Sequence, residues 1–384
     1  MSTVFLSEDF IQHTSWKIHS GQGMWGDIGY ELRRKAEQWL HKGPWSITYY
    51  PSPAESGNPH DYFSEGPYWW PDPQNPAGPY IRRDGEKNPD RFTHHRDAME
   101  EMAEGFLMLC YAGVYLEETC WLDRAAEILK VWFLDKYTCM NPHLEYGQAV
   151  RGVCSGRGIG IIDLSVLLKV ISGMELMSQT SQYGDILSGM KEWFTKLLEW
   201  MVTSEKGQNA KNNGNNHSTY WNVQVAAYAA FAGKKDLVLQ CFSNFRDVLL
   251  PAQMAADGSF PEELERTLSF SYSLMNLDGF ALLCEIAYSM GVDLWNYKTP
   301  DGRGMEKGIQ FVLPYLDNPY HWKYPQINGW IPGENYAVQL AGHRLGIEGC
   351  DKINKKRRGD SCLVSSQHRI GPLVFQPGFD AAAL

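Results

Sequence analysis

The 384-residue chain predicts an all-α fold: an α/α toroid, incomplete or closed, built of antiparallel helix pairs with the long loops at one end. Apolar residues recur at helical spacing in segment after segment, while strand-like alternation is weak before the C-terminus. Short connections alternate with long polar ones at 51–96, 136–158, 204–216 and 251–267. A strict repeat period is absent, which argues against a regular solenoid such as a tetratricopeptide array. The chain reads as one domain, 1–384, with 51–96 as a long aromatic loop and 346–384 as a C-terminal extension of no assigned structure.

The first helix expected runs from Asp27 to His41, with Ile28, Leu32, Ala36 and Leu40 on one face. From Pro51 to Asp90 prolines and glycines are dense and no period survives; a loop of this length in a compact chain is usually functional. It carries Tyr68-Trp69-Trp70-Pro71, where the proline fixes the backbone beyond Trp70 and suits a rigid stacking wall. His94-His95-Arg96 then opens a helix over Asp97–Leu116, where the imidazoles and guanidinium either bind a carboxylate or simply cap and solvate the helix entrance. Further helices are expected at Cys120–Leu134, Gly160–Met177, Asp185–Val202, Asn216–Ala232, Lys235–Leu250, Leu268–Met290, Gly304–Tyr315 and Asn335–Leu345. Cys362-Leu363-Val364 and Leu373-Val374-Phe375 are candidate strands, and Lys355-Lys356-Arg357-Arg358 reads as a solvated basic patch.

The net charge of −10 argues against a nucleic-acid binder, and it obliges any acidic ligand to find a local basic pocket. None of the eight cysteines forms a Cys-x-x-Cys pair, and their scattered spacing fits neither a zinc knuckle nor a disulfide framework. No run approaches a membrane span. The first residues lack the basic start and apolar core of a signal peptide, so a cytoplasmic location is expected. The sequence does not give the oligomeric state.

The chemistry concentrates at Lys211–Asn222, where Asn215, Asn216, His217 and Tyr220 straddle a turn-to-helix junction. Backbone N–H groups at a helix start attract negative charge, and one asparagine would suffice as a cap. Two other long connections add to this set. Arg157 stands in Gly156-Arg157-Gly158-Ile159-Gly160, with Gln148 nearby; no strand precedes these glycines and no Gly-Lys-Ser/Thr follows, so the segment reads as a tight backbone approach presenting the arginine. Arg266 and Tyr272 lie six positions apart beyond an Asp257-Gly258 turn, and this segment alone fits equally an arginine paired with nearby glutamates and a tyrosine packed in the core. There is no nucleophile elbow and no zinc-binding helix. What remains is a set of carboxylate neutralisers and two groups able to move protons, which suits β-elimination at a uronic acid: the C5 proton, α to a carboxylate, is removed while amide and guanidinium groups stabilise the enolate-like charge.

Asn215-Asn216-His217-Ser218, with Arg266, Tyr272 and the Tyr-Trp-Trp-Pro-Asp-Pro loop, resembles the alginate lyase superfamily of α/α-toroid polysaccharide lyases, in particular the branch of alginate and glucuronan lyases, over roughly residues 55–345. The resemblance implies that Asn216 and Arg266 neutralise the substrate carboxylate. It makes Tyr272 base and acid in a syn elimination, and has His217 assist or serve as base in the anti case. Tyr220 remains a rival for the catalytic tyrosine. Tyr68, Trp69, Trp70, His94, His95, Gln148, Arg157, Asn215 and Tyr220 are the expected substrate-binding residues, the partner is an anionic polysaccharide or oligosaccharide, and no cofactor or catalytic metal is implied. The alternatives are a carbohydrate-binding toroid, or a hydrolase or sugar epimerase on the same barrel. A hydrolase needs two carboxylates across the bond, and Asp163, Asp257, Glu262 and Glu263 stand in no setting that obviously raises a pKa.

Overall fold

The structure, a computed structural model, describes residues 4–6, 8–328, 335–350 and 353. In chain order the helices and strands are α1 (Glu8–Ser20), α2 (Met24–Leu40), β1 (Phe63–Glu65), β2 (Trp69–Trp70), β3 (Ile81–Arg82), α3 (His94–Tyr115), α4 (Thr119–Leu129), β4 (Tyr146–Ala149), α5 (Leu167–Met177), α6 (Gly184–Thr203), α7 (Glu205–Lys211), α8 (Asn216–Ala232), α9 (Lys235–Asn244), the single turns α10 (Leu250–Gln253) and α11 (Pro261–Leu264), α12 (Ser269–Ser289), α13 (Met305–Asp317) and α14 (Tyr336–Leu345).

Burial sorts the helices into two rings. α3, α5, α8 and α12 are apolar on nearly every face and buried on nearly every face, as a helix interior to a helical assembly must be. They adjoin in the order α3, α5, α8, α12, α14 and form the inner ring. α6 buries Leu187, Met190, Phe194, Leu197 and Met201 at helical spacing and packs on α8. α4 covers α3, α9 covers α8, and α13 covers α12 and α14. Each side chain so buried is worth about 1.5–3 kcal/mol. The fold is thus the all-α toroid expected from the periodicity.

Some boundaries differ. α1 and the short α7 replace expected coil. The helices expected to reach Leu134 and Leu250 end in wide π turns at Lys130–Leu134 and Phe245–Leu249; Pro251 offers no N–H to the second of these, so a regular ladder has to break there. Gly158–Val166 is a tight 3-10 segment rather than the start of an α-helix. The basic run 355–358 and the candidate strands at 362–364 and 373–375 lie outside the described residues.

The four long connections do meet. β1 pairs in parallel with β4, and His60 Nδ1 lies 2.6 Å from the Cys139 carbonyl, so loop 51–96 is bound to 136–158. Gly158 lets that second loop back onto α7, since a Cβ there would sit 2.6 Å from the Lys206 carbonyl. Glu263 then binds Asn216, and Arg266 binds Asp84, which returns the circuit to the first loop. Among the described residues no helix is long and apolar enough to cross a membrane.

Candidate active site

Asn215 caps α8, its Oδ1 accepting from the His217 N–H at 3.1 Å. Asn216 faces inward and is fully buried. Its backbone N–H donates to Glu263 Oε1 at 2.8 Å, and its Nδ2 donates to the two carboxylate oxygens at 2.9 and 3.0 Å. The anion drawn to this helix start is therefore a side chain of the protein. Glu263 has no exposed surface. Burial raises its pKa, and the Asn216 hydrogen bonds and the Arg266 charge offset only part of that rise. This corrects the expectation that none of the four candidate carboxylates has a pKa-raising setting. Asp163 is also buried and accepts from Tyr62, Ser64 and Gln148, an arrangement that pins β1 and β4 to the 3-10 segment Gly158–Val166.

Tyr272 stands on the first turn of α12 with its hydroxyl 2.7 Å from that of Tyr68. The Arg266 guanidinium lies 3.8 Å from the centre of the Tyr272 ring. Burial and the neighbouring Tyr68 hold the Tyr272 pKa well above its ordinary value, while Arg266 pulls it down. Arg266 is also committed to Asp84, donating through Nη2 at 2.7 Å and Nε at 3.1 Å. Burial pushes the Asp84 carboxyl up, but donors from Arg266, the Thr267 N–H and Arg82 outweigh it and hold it far below the usual carboxylate range. Both expected neutralisers are thus already paired with internal acids. Nothing in the sequence singles out Asp84 or Glu263 for this role. The Asp-Gly turn and a glutamate behind a helix-initiating proline were their only local signals.

The remaining expected residues divide. Tyr220 is buried and donates to the Met275 carbonyl at 3.2 Å, on the core side of α8. His95 is 1% exposed; Nδ1 accepts from the Phe63 N–H and Nε2 lies 2.8 Å from the Tyr50 carbonyl, so it clamps the loop as a neutral ring and has no surface to offer a ligand. Burial accordingly lowers its pKa. His94 is exposed and stacks on Tyr50. Trp69 and Trp70 are not one wall. They are consecutive residues of a strand and so point to opposite faces: Trp69 lies under Arg157, with 5.5 Å from guanidinium to ring centre, and Trp70 under Arg83 at 5.0 Å. Arg157 donates to the Gln148 carbonyl at 2.9 Å and its Oε1 at 3.3 Å, and among the described residues no carboxylate pairs with it. Gln148 itself adopts a left-handed φ of 49°, a strained backbone for a residue with a Cβ. His217 is half-buried on the first turn of α8. Among the described residues no three His, Cys, Asp or Glu side chains gather as a metal site.

A helical toroid whose long loops carry an asparagine-histidine helix start, tied to Glu263, and an arginine-tyrosine pair has the architecture and the groups of a polysaccharide lyase. Residues 46–322 match the family model described as alginate lyase, and the chain belongs to that family. It is similar to an alginate lyase from Bacteroides ovatus, with 32% identity over 97% of this chain and 98% of the other and a TM-score of 0.87. Alginate lyase A1-III from a Sphingomonas species shares the fold at 16% identity, covering 88% of each chain with a TM-score of 0.58. A variant of A1-III complexed with a tetrasaccharide gives 16% identity over 89% of this chain and 88% of that one, with a TM-score of 0.60. Among curated proteins none matches. The enzyme is a polysaccharide lyase acting on uronate polymers.

Proposed function

We propose that the chain cleaves β-1,4-linked mannuronate- or glucuronate-containing polymers or oligomers by syn β-elimination, with Tyr272 as both base and acid. One observation carries this reading: the Tyr272 hydroxyl is held by Tyr68 while its ring lies 3.8 Å from the Arg266 guanidinium. A phenolate at Tyr272 takes the C5 proton. The C5–H electron pair becomes the C4=C5 double bond, the C4–O4 bond breaks, and the new phenol returns its proton to O4. In a D-configured β-1,4-uronate the C5 hydrogen and O4 share a face, so one tyrosine reaches both. Ionisation of that tyrosine is opposed by burial and favoured by Arg266.

The substrate carboxylate meets His217 and the Arg266 donors that Asp84 does not use, whereas Asn216, fully buried with its donors spent on Glu263, holds the helix start in place behind them. Trp69 backed by Arg157 supplies a stacking face with a neighbouring cation for the next sugar. Tyr220, turned into the core, is the poorer candidate for the proton transfer. The deciding experiment incubates the protein with alginate, polymannuronate and glucuronan and follows absorbance at about 235 nm, where the unsaturated uronate product absorbs, with Tyr272→Phe in parallel. No absorbing product from any polyuronate sinks the reading; product formed at full rate by the variant removes Tyr272 from its role.

A further inference from the structure

Asp84 places a carboxylate beside the site of an enzyme whose substrate is itself a polyanion, where its charge repels the ligand. Its surroundings show what it does instead. Oδ1 accepts from Arg266 Nη2 at 2.7 Å and from Arg82 Nη2 at 2.7 Å; Oδ2 accepts from the Thr267 N–H at 3.1 Å and its hydroxyl at 3.0 Å. The Asp84 carbonyl takes the same hydroxyl at 2.8 Å. The next residue, Gly85, has a φ of 79°, and a Cβ there would lie 2.4 Å from Thr267 Oγ1. The loop thus approaches the start of α12 as closely as backbone allows, and only with glycine at its tip.

This seat fixes Arg266 in two directions. Asp84 takes the Nε–Nη2 edge of the guanidinium as a fork, which leaves the flat face on the Tyr272 ring. An arginine without that fork regains most of its side-chain freedom. Asp84 also belongs to the same loop as Tyr68 and Trp69, so the residues that touch Tyr272 and the sugar are delivered together with the residue that aims Arg266.

We infer that Asp84 is a positioning residue for the elimination: it holds Arg266 face-on to Tyr272 only while the 51–96 loop is seated, and so ties proton transfer to loop seating. The inference rests on the lyase reading of Tyr272. The test measures kcat and KM on the polyuronate the enzyme turns over, for Asp84→Ala, Asp84→Asn and Gly85→Ala, with hydrogen exchange of residues 80–90 in each. Asp84→Ala is expected to lose about 100-fold in kcat with KM changed by less than about threefold, and Asp84→Asn, whose amide oxygen still accepts from Arg266, to recover about tenfold of that loss. Gly85→Ala, which keeps the carboxylate but spoils its approach, should fall with Asp84→Ala, and exchange should rise at 80–86 in both. Should Asp84→Ala fail to fold, the other two variants carry the same comparison. A kcat within about twofold of the unsubstituted enzyme, or a loss confined to KM, overturns the positioning role and leaves Asp84 a latch. An unsubstituted protein that makes no unsaturated product overturns the lyase reading and this inference together, whereas a kcat-neutral Asp84→Ala in an active enzyme overturns this inference alone.

Discussion

The hydroxyls of Tyr68 and Tyr272 lie 2.7 Å apart although 204 positions separate them in the chain. A phenol in contact with a second phenol, and largely buried, gives up its proton reluctantly. Tyr272→Phe is therefore expected to lower kcat by about 1,000-fold, within the range for loss of a positioned acid–base group. Tyr68→Phe leaves Tyr272 in place and should cost about tenfold. Because the Tyr272 pKa is raised and its ionised form is the base, kcat/KM should still be climbing with pH above neutrality. Initial rates across the pH range test this, and a profile falling above neutral pH would contradict it.

Glu263 and Asn216 make a second testable pair. In Glu263→Ala the buried Asn216 donors lose their acceptor, which costs about 1–3 kcal/mol of stability for an unsatisfied buried group. Glu263→Gln keeps one oxygen to accept and should unfold within about 1 kcal/mol of the unsubstituted protein. Denaturant titration of both variants beside Glu263→Met, which fills similar space but accepts no hydrogen bond, decides the cause: a hydrogen bond predicts that Met loses stability with Ala, and simple space-filling predicts that Met stays with Gln.

Inside the inner ring, Lys169 of α5 reaches Glu104 of α3 in an ion pair with both side chains nearly shut off from water. Removing one partner strands the other charge, so Lys169→Met should destabilise the fold by about 3–5 kcal/mol. The double change of Lys169→Met with Glu104→Leu should regain most of that. Thermal or urea unfolding of the single and double variants checks it.

Glu175, buried on α5, accepts from the backbone N–H groups of Val4, Phe5 and Leu6. Burial pushes its pKa up from 4.5 to about 8, with the three N–H donors opposing the rise. Between these two values the unfolded chain has released a proton that the folded chain still holds, so stability falls as pH rises from about 4.5 to about 8 and levels beyond it. Glu175→Gln should remove that part of the slope. Unfolding free energies at several pH values test it, and an unchanged slope in the variant would show that another group causes it.

The helices were legible because each has its own local evidence. α8 runs over the residues expected, Asn216 to Ala232, since an asparagine cap starts it, a glycine ends it and an unbroken apolar stretch fills it. The strands β2 and β3 are two residues each, too short for alternation to register, and without them Trp69 and Trp70 look like one surface. Asn216, His217, Arg266 and Tyr272 could be picked out by residue type and by resemblance. Their partners could not: Asp84 lies 182 positions from Arg266 and Glu263 lies 47 from Asn216, and nothing local to an acidic residue tells which distant cation or amide it will meet. The role of His95 is hidden for the same reason, because its ring is spent on the distant backbone of Tyr50 and Phe63.

The seat of loop 51–96 on α12 has a consequence for the order of events in folding. Its contacts span about half the chain, so their loop-closure entropy is met only after the intervening helices have already brought the two ends near. Helix-rich intermediates of a chain this size should therefore carry an unseated loop and an incomplete site. On dilution from denaturant, the far-ultraviolet helical signal should return first and catalytic competence last, so that the slowest step in making the enzyme is also the step that makes it one.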